Sequence, residues 1–397
     1  MQRRRIAFLT TEFPSEAPRG GGLSSYLHRI TQALRDGGHE PEVFVLSTHA
    51  PGVLEHEGVR VERVRRPDRR MGVRMTWHAL RMIGLARLQP TLHLAAGTFA
   101  LARALERRHT EQPFDAVQSA DYLATGLFVP RRATRRHLVR CSSASELWAR
   151  ADRDTRLERR LEAWLERIAI RRADIAYAPS RFVAEHLSRR LRRTVQVMRP
   201  PAFLEVKPAE RPPRPLPPRF LMHVGKPRPL KGTALLASLL PRIWAEDPTF
   251  TLVVAGVDHH ELARLAGESW GAQASRVLAL GLLSKPDLYA ALARAEAAVQ
   301  PSLVDNLPNA VIESLLLGVP VVAFDGLSLD ELVEPGVTGE LVPTGDEAAL
   351  AAALLRVWRG QAPARKGFTW SGPVAEEMRP PCAMANLLAL AGLAEAD

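Results

Sequence analysis

Asp305 and Glu313 bracket seven residues in the stretch PSLVDNLPNAVIESLLLGVPVV, Pro301–Val322. Pro308 and Asn309 interrupt the chain between them. From Ala310 the pattern AVIESLLLG reads as a short apolar helix stopped by Gly318. One carboxylate is therefore expected in a loop and the other in the first turn of a helix. A loop-to-helix junction offers backbone N–H groups to an oxygen-rich ligand. Glu313 stands in an otherwise apolar helix, where a buried carboxylate needs a hydrogen-bonding partner. Sugar hydroxyls would supply one. The plainer alternative is a surface Asp and a capping Glu at an ordinary helix start.

A second candidate is the loop KPRPLKG, Lys226–Gly232. The chain has five lysines among its 54 basic residues, and two of them, Lys226 and Lys231, fall here. A compact ammonium approaches a diphosphate as a point charge. The alternative is a pair of solvated loop charges. A third is the run Gly20, Gly21 and Gly22, since such a loop brings backbone N–H groups up to a phosphate. It reads equally as a flexible glycine loop.

The elements that would position these residues follow from the apolar pattern. Arg5–Thr10 reads as a buried strand, Leu23–Leu34 as a helix stopped by Gly37-Gly38, and Glu42–Ser47 as the next strand. This is a βαβ unit without a GxGxxG fingerprint. Phe114–Phe128 reads as a strand and helix, and His137–Trp148 as a strand and polar loop. Arg156–Arg172 reads as a charged helix with a stripe of Leu157, Leu161, Leu165 and Ile168. Ala173–Leu187 reads as strand, turn and helix, with Ser180 as an N-cap. Lys207–Pro218 holds six prolines in twelve residues and reads as a stiff linker. Beyond it, Phe220–Gly225 and Phe250–Gly256 read as buried strands, Val277–Ser302 as strand, loop, helix and strand, and Pro320–Phe324 as a strand after the central helix.

The Asp305–Glu313 stretch with its tail GVPVV resembles the Glu-x7-Glu element of the retaining, nucleotide-sugar-dependent glycosyltransferases of family 4. Asp305 takes the place of the first Glu and Glu313 is the second. The glycine loop, Gly38-His39, Lys226–Gly232, Gly281 with Leu288-Tyr289 and Pro301-Ser302, Glu331–Leu354 and Phe368–Trp370 follow the family in order. The resemblance covers the chain from Ile6 to about Trp370, with residues 50–110 poorly matched.

It implies an α/β protein of the GT-B fold, with two Rossmann-like domains facing across a cleft and a C-terminal helix crossing back to the first. The expected division is 1–206 for acceptor binding, 207–218 as linker, 219–369 for the nucleotide sugar and 370–397 as the returning segment. Gly21 and Gly22 would close on the donor diphosphate. Lys231 matches the family's lysine, Lys226 stands where Arg is usual, and Arg228 is placed to compensate. Leu282 and Leu283 would lie against the nucleobase. Asp305, with amides of Asn306, Leu307, Asn309 and Ala310, would hold the sugar, and Glu313 the ribose. Pro308 stands where relatives have Gly and has no N–H to offer. Ser142 occupies the position where many relatives have a His facing the sugar. Asp325–Asp330 lacks the usual Gly-Gly. No DxD motif presents itself for a metal, so the lysines and helix N-termini are expected to replace Mg²⁺, with no cofactor.

Composition bounds the rest. A length of 397 residues suffices for two α/β domains, and 46% hydrophobic with 24% charged residues is a globular composition. Cys141 and Cys382 form no disulfide framework and suggest a reducing, cytoplasmic compartment. The start MQRRRIAFLTTEFP does not read as a signal peptide, and no apolar run is long enough for a bilayer span. Residues 1–200 carry 37 Arg and no Lys against 21 acidic residues, while the remainder is net negative. Anionic membrane, a phosphorylated acceptor or nucleic acid would each suit the basic half. Residues 60–110 interleave Arg63, Arg65, Arg66, Arg69, Arg70 and Arg74 with Trp77, Leu80, Met82, Ile83, Leu85 and Leu88. This reads as a membrane-interface segment or an ordinary amphipathic surface helix. Arg379–Met384, with two prolines, is expected to kink the last helix.

The expected function is transfer of a sugar from a nucleoside diphosphate to a carbohydrate, lipid-linked or small-molecule acceptor, with retention. Alternatives are a sugar-nucleotide epimerase on the same fold and a catalytically degenerate nucleotide-sugar-binding protein. Nucleic-acid binding is least favoured, since no aromatic-basic module accompanies the charge.

Overall fold

The computed structural model describes residues 2–16, 21–66, 88–130, 136–142, 157–212, 214–226, 229–267 and 269–394. Contacts divide the chain into two compact units, Met1–Pro201 with Glu377–Asp397, and Ala202–Glu376.

The first unit is built on β1 (Arg5–Thr10), α1 (Gly22–Asp36), β2 (Glu40–Ser47), β3 (Gly52–His56), β4 (Val59–Arg65), α2 (Gln89–Glu111), β5 (Ala116–Ala120), β6 (His137–Arg140), α3 (Leu157–Arg172), β7 (Ile175–Ala178), α4 (Arg181–Leu191) and β8 (Gln196–Val197). Its sheet has the order β3-β4-β2-β1-β5-β6-β7-β8 among the described strands. All neighbours are parallel except the antiparallel pair β3–β4. Strands buried on both faces need continuous apolar runs, and Ile6–Leu9 and Val43–Leu46 supply them.

The second unit holds β9 (Leu221–Val224), α5 (Thr233–Glu246), β10 (Leu252–Ala255), α6 (His259–Ala266), β11 (Val277–Gly281), α7 (Lys285–Leu292), β12 (Ala298–Gln300), α8 (Asn309–Leu316), β13 (Val321–Phe324), β14 (Gly339–Val342) and α9 (Glu347–Trp358). Its sheet, ordered β11-β10-β9-β12-β13-β14, is parallel throughout. Leu221, Leu252, Val254 and Val322 pack with Leu236, Leu240, Trp244, Leu350 and Leu354 in one core. Each such side chain contributes roughly 1.5–3 kcal/mol on full burial.

The chain closes with α10 (Pro380–Leu390), which belongs to the first unit. Met384, Leu387 and Leu388 join Ile30, Ala33 and Leu34 of α1 in one cluster. The approach is close: a Cβ on Gly37 would lie 2.3 Å from Met384 Sδ. Pro380 opens this helix with Arg379 as N-cap. The expected kink is therefore absent, because proline at the first helical position removes only an N–H that would be orphaned anyway.

Other expectations need correction. After β5 the chain makes a single tight turn at Tyr122–Ala124, with Leu123 and Ala124 at positive φ, in place of a helix. In the arginine-rich region, Arg63 and Arg65 lie in strand β4, so this part is no interfacial helix. Arg63 Nε donates to Glu16 Oε1 at 2.8 Å. The β3–β4 hairpin turns at Glu57 and Gly58, with φ of 49° and 77°. Those values fit a type I′ turn built on Glu-Gly. Arg69, Arg70, Arg74, Trp77, Leu80, Met82, Ile83 and Leu85 lie outside the described residues. Leu157, expected in the apolar stripe of α3, is exposed, and the buried face is Leu165, Glu166, Ala169 and Ile170.

Candidate active site

In the second unit, three loops leave the carboxyl edge of the sheet, where ligands of open α/β sheets bind. The first follows β9. It runs through Gly225 and Lys226 into a single turn, Pro229–Lys231, and then to Gly232, which caps α5. The second follows β12 and carries Asp305 toward α8. Since β9 and β12 are neighbours, these two loops meet. Leu303 N donates to Leu230 O at 2.8 Å. Gly232 adopts φ 75°, and a Cβ there would sit 2.0 Å from Pro301 O, so only glycine fits.

The meeting of the loops brings Lys231 Nζ to 2.7 Å from Asp305 Oδ2. Asp305 is 5% exposed. Ser302 Oγ donates to the same oxygen at 3.1 Å, with Gln300 Nε2 at 3.4 Å, and Asn306 N donates to Oδ1 at 3.0 Å. A buried charge needs such partners. Leu307, at φ 47°, donates its N–H to Ser328 Oγ at 2.9 Å. Two of the amides expected to face a sugar, those of Asn306 and Leu307, are thus already engaged within the protein. Asn309 and Ala310 open α8, where the first N–H groups have no intrahelical acceptor.

Glu313 lies in the second turn of α8, not the first, and is 1% exposed. Lys285, at the start of α7, forms an ion pair with Glu313 Oε1. The third loop, after β11, delivers that lysine. Gly281 ends the strand, and Ser284 caps α7 by accepting from Asp287 N at 3.4 Å. So the partner expected from sugar hydroxyls is supplied by a lysine that the sequence pattern did not single out. Leu282 in this loop is 56% exposed, and Leu283 is half-buried beside it. Lys226 is exposed, and Arg228 lies outside the described residues.

His223, one residue before the end of β9, is fully buried. Its ring spans Val299 O and Thr233 Oγ1, both at 2.9 Å. Nδ1–H donates to the carbonyl, leaving Nε2 to accept from the hydroxyl. Burial first, opposed by the Val299 hydrogen bond and aided by the Lys231 charge, pulls its pKa down to about 4. A neutral imidazole therefore ties β9, β12 and the start of α5 together beneath Lys231.

In the first unit, Gly21 caps α1 and Gly22 opens it, both exposed. Gly20 is outside the described residues. A Cβ on Gly21 would stand 3.0 Å from Glu12 Oε2. Ser142, half-buried, donates its N–H to Asp121 Oδ1 at 3.0 Å. Ser180 caps α4 as expected, accepting from Val183 N at 3.3 Å. Among the described residues, no cluster of three or more His, Cys, Asp or Glu is arranged to hold a metal ion, and no helix is long and apolar enough to cross a membrane.

Two family profiles match. Residues 21–202 match the glycosyl transferase 4-like domain, and residues 218–360, which carry Lys231, Asp305 and Glu313, match glycosyl transferases group 1. The chain belongs to the group 1 glycosyltransferases of family 4 type. The amylovoran biosynthesis glycosyltransferase AmsK of Erwinia amylovora is 42% identical over 59 residues, 15% of this chain and 14% of that protein. The phosphatidyl-myo-inositol mannosyltransferase of Mycobacterium leprae is 28% identical over 40% of this chain and 44% of its own length. These two curated relatives are thus matched over less than half their lengths. The 2-deoxystreptamine N-acetyl-D-glucosaminyltransferase of Streptomyces fradiae is 26% identical over 86% of this chain and 84% of that protein. Among solved structures, sucrose-phosphate synthase from Thermosynechococcus elongatus has a TM-score of 0.71 at 20% identity, covering 98% of this group 1 chain and 96% of its own. Anabaena HepE in complex with UDP has a TM-score of 0.61 at 17% identity, covering 97% and 95%. The GT-B fold is common to this transferase and these structures.

Proposed function

We propose that this chain transfers a hexose from a nucleoside diphosphate sugar to an acceptor hydroxyl, with retention at the anomeric carbon and without a bound metal. The observation that carries the reading is the convergence of Lys231, Asp305 and Glu313 on one sheet edge of a group 1 family member. The UDP held by the structurally similar HepE supports a nucleotide donor.

The acceptor oxygen bonds to the anomeric carbon as the bond to the β-phosphate oxygen breaks. The nucleoside diphosphate leaves with the bonding pair, and the acceptor proton passes to the departing phosphate on the same face. Negative charge grows on the diphosphate, and ammonium groups placed against it stabilise the transition state more than the ground state. Lys231, already fixed by Asp305, serves that purpose, with Lys226 as the exposed second cation. Asp305 and the open N–H groups of Asn309 and Ala310 hold the sugar. Glu313 accepts from the ribose, and Leu282 and Leu283 lie against the base.

The deciding experiment measures thermal shifts with UDP, GDP, ADP and dTDP, with Mg²⁺ and with EDTA, for the wild type and Lys231→Ala. A ligand at about 100 times its dissociation constant adds roughly 2.7 kcal/mol of stability. One nucleotide should shift the wild type equally in both buffers and fail to shift the variant. No shift with any nucleotide would overturn the reading, and a shift that needs Mg²⁺ would overturn its metal independence.

A further inference from the structure

Strand β6 ends on an arginine that the site described above does not use. Arg140 stands opposite Ala120 of β5 on one side and Tyr177 of β7 on the other. Leu138 packs in the cluster shared with α1. Side chains two positions apart share one face of a strand, so Arg140 points toward α1 as well. There its Cζ lies 3.8 Å from the centroid of the Tyr26 ring. Gln118 Oε1 holds that ring in place, accepting from Tyr26 OH at 2.8 Å and from Tyr177 OH at 2.6 Å.

Arg140 is 6% exposed, and its Nε has no hydrogen-bond partner among the described residues. No ion pair among them includes it. Taking a charge out of water is costly, and paired charges or hydrogen bonds must offset the loss. The stack on Tyr26 offsets only part of it. The titratable groups around the guanidinium are neutral. Burial pushes the Tyr26, Tyr177 and Cys141 pKa values up, and the Arg140 charge opposes this only in part. Asp121, at the end of β5, turns Oδ1 to the backbone, accepting from Tyr122 N at 2.8 Å and Ser142 N at 3.0 Å. The first turn of α1 holds no acidic residue and no side-chain cap. Glu12 comes up to Gly21 at the start of that helix. Five residues, about 7.5 Å of helix, separate Gly21 from Tyr26.

We infer that Arg140 is a specificity-determining residue that holds the carboxylate of a sugar acid, such as a uronic acid. The planar guanidinium fork matches a carboxylate with two parallel hydrogen bonds, and Glu12 accepts from a hydroxyl of the same ligand. A dianionic phosphate suits the place less, since Glu12 opposes its second charge. This inference rests on the transferase reading given above and names the class of sugar it handles. The same carboxylate chemistry belongs to an acidic donor sugar or an acidic acceptor.

Calorimetry on the full chain tests it with D-glucuronate, D-glucuronamide and D-glucose, and with UDP-glucuronate and UDP-glucose. In one of the two series the acid should bind at least about tenfold more tightly than the matching neutral sugar, the gain of a charge-assisted hydrogen bond. A gain among the free sugars assigns the acid to the acceptor, and a gain confined to the UDP esters assigns it to the donor. Glucuronamide keeps the shape without the charge and should show no gain. In Arg140→Met the ratio should fall toward one with the melting temperature kept or raised, because a buried unpaired charge has gone. Arg140→Lys should keep part of the ratio. A ratio near one in both series, or one that survives Arg140→Met beside a lower melting temperature, overturns the proposal and leaves Arg140 a structural stack on Tyr26. Glucuronamide binding as tightly as glucuronate overturns it without any variant. A gain among the free sugars with no binding of any nucleotide would sink the transferase reading and leave the carboxylate site standing.

Discussion

Lys231 Nζ and Asp305 Oδ2 lie 2.7 Å apart, although they are 74 positions apart in the chain. The cation suited to a diphosphate and the carboxylate suited to a sugar are each other's partners. Under the proposed reading, a pair already held in place lowers the ordering cost of binding a donor.

The pair should behave as a unit in stability. Lys231→Ala leaves Asp305, 5% exposed, with neutral donors only, at a cost of about 1–3 kcal/mol. Lys231 is 25% exposed, so solvent screening brings the expectation to the lower half of that range. Lys231→Ala/Asp305→Asn should cost less than the two single changes together, by about 1 kcal/mol in a urea-melt cycle. Strict additivity would show that the contact contributes nothing.

Glu313 should decide ribose recognition. Wild-type protein is expected to prefer UDP to its 2′-deoxy analogue, and Glu313→Gln to reduce that preference by about tenfold, or 1.4 kcal/mol. Lys285→Ala removes the cation paired with a carboxylate that is 1% exposed. It should lower the melting temperature while Glu313→Gln/Lys285→Ala restores part of it, because the buried charge goes with its partner. Isothermal titration and thermal melts together separate the two roles.

Gly232→Ala tests the contact between the loops. The new Cβ would meet Pro301 O at 2.0 Å in a backbone held at φ 75°. Strain at positive φ alone costs about 1 kcal/mol or more, and the clash adds to it. A melting temperature lower by several degrees, with nucleotide affinity reduced, is the expected result. A wild-type melt would mean that the loops separate easily.

Acid should weaken the fold through two buried histidines. Burial, with Lys231 contributing, lowers His223 to about 4, and burial with Arg172 and Arg193, against Asp174, lowers His137 to about 4. With the unfolded value near 6.5, the unfolded chain binds more protons between those limits. Stability is therefore full above about pH 6.5 and declines as pH falls toward 4, by at most about 3 kcal/mol per histidine. Denaturant melts from pH 7 to pH 4 measure the slope. His223→Gln should flatten it, and an unchanged slope would remove His223 from the account.

The legible part of the site was the part written in consecutive residues. Asp305, Glu313 and Lys231 stood out because a loop, a glycine and an apolar helix follow one another in order. Lys285 did not, since its partner lies 28 positions away and nothing around it is unusual. His223, in the middle of an apolar strand, gave no sign that Val299 and Thr233 would bracket it. The hairpin at Glu57-Gly58 was missed because Glu is a poor marker of a turn that needs positive φ at both central positions. Its strand, Val59–Arg65, was masked by arginines on both faces, Arg60 on one and Arg63 and Arg65 on the other.

By itself the sequence determined the two α/β units, most of their parallel strands and the loops that bear the cations and carboxylates. Those features follow from apolar runs, glycines and prolines, whose preferences act within a few residues. The tertiary structure decided which strands are neighbours, and hence that Lys231 meets Asp305 and Lys285 meets Glu313. It also made Pro380 the start of a helix that returns to α1 instead of a kink. Partner choice depends on which sheet edges and side chains share one buried volume, and that is settled only when the strands have packed.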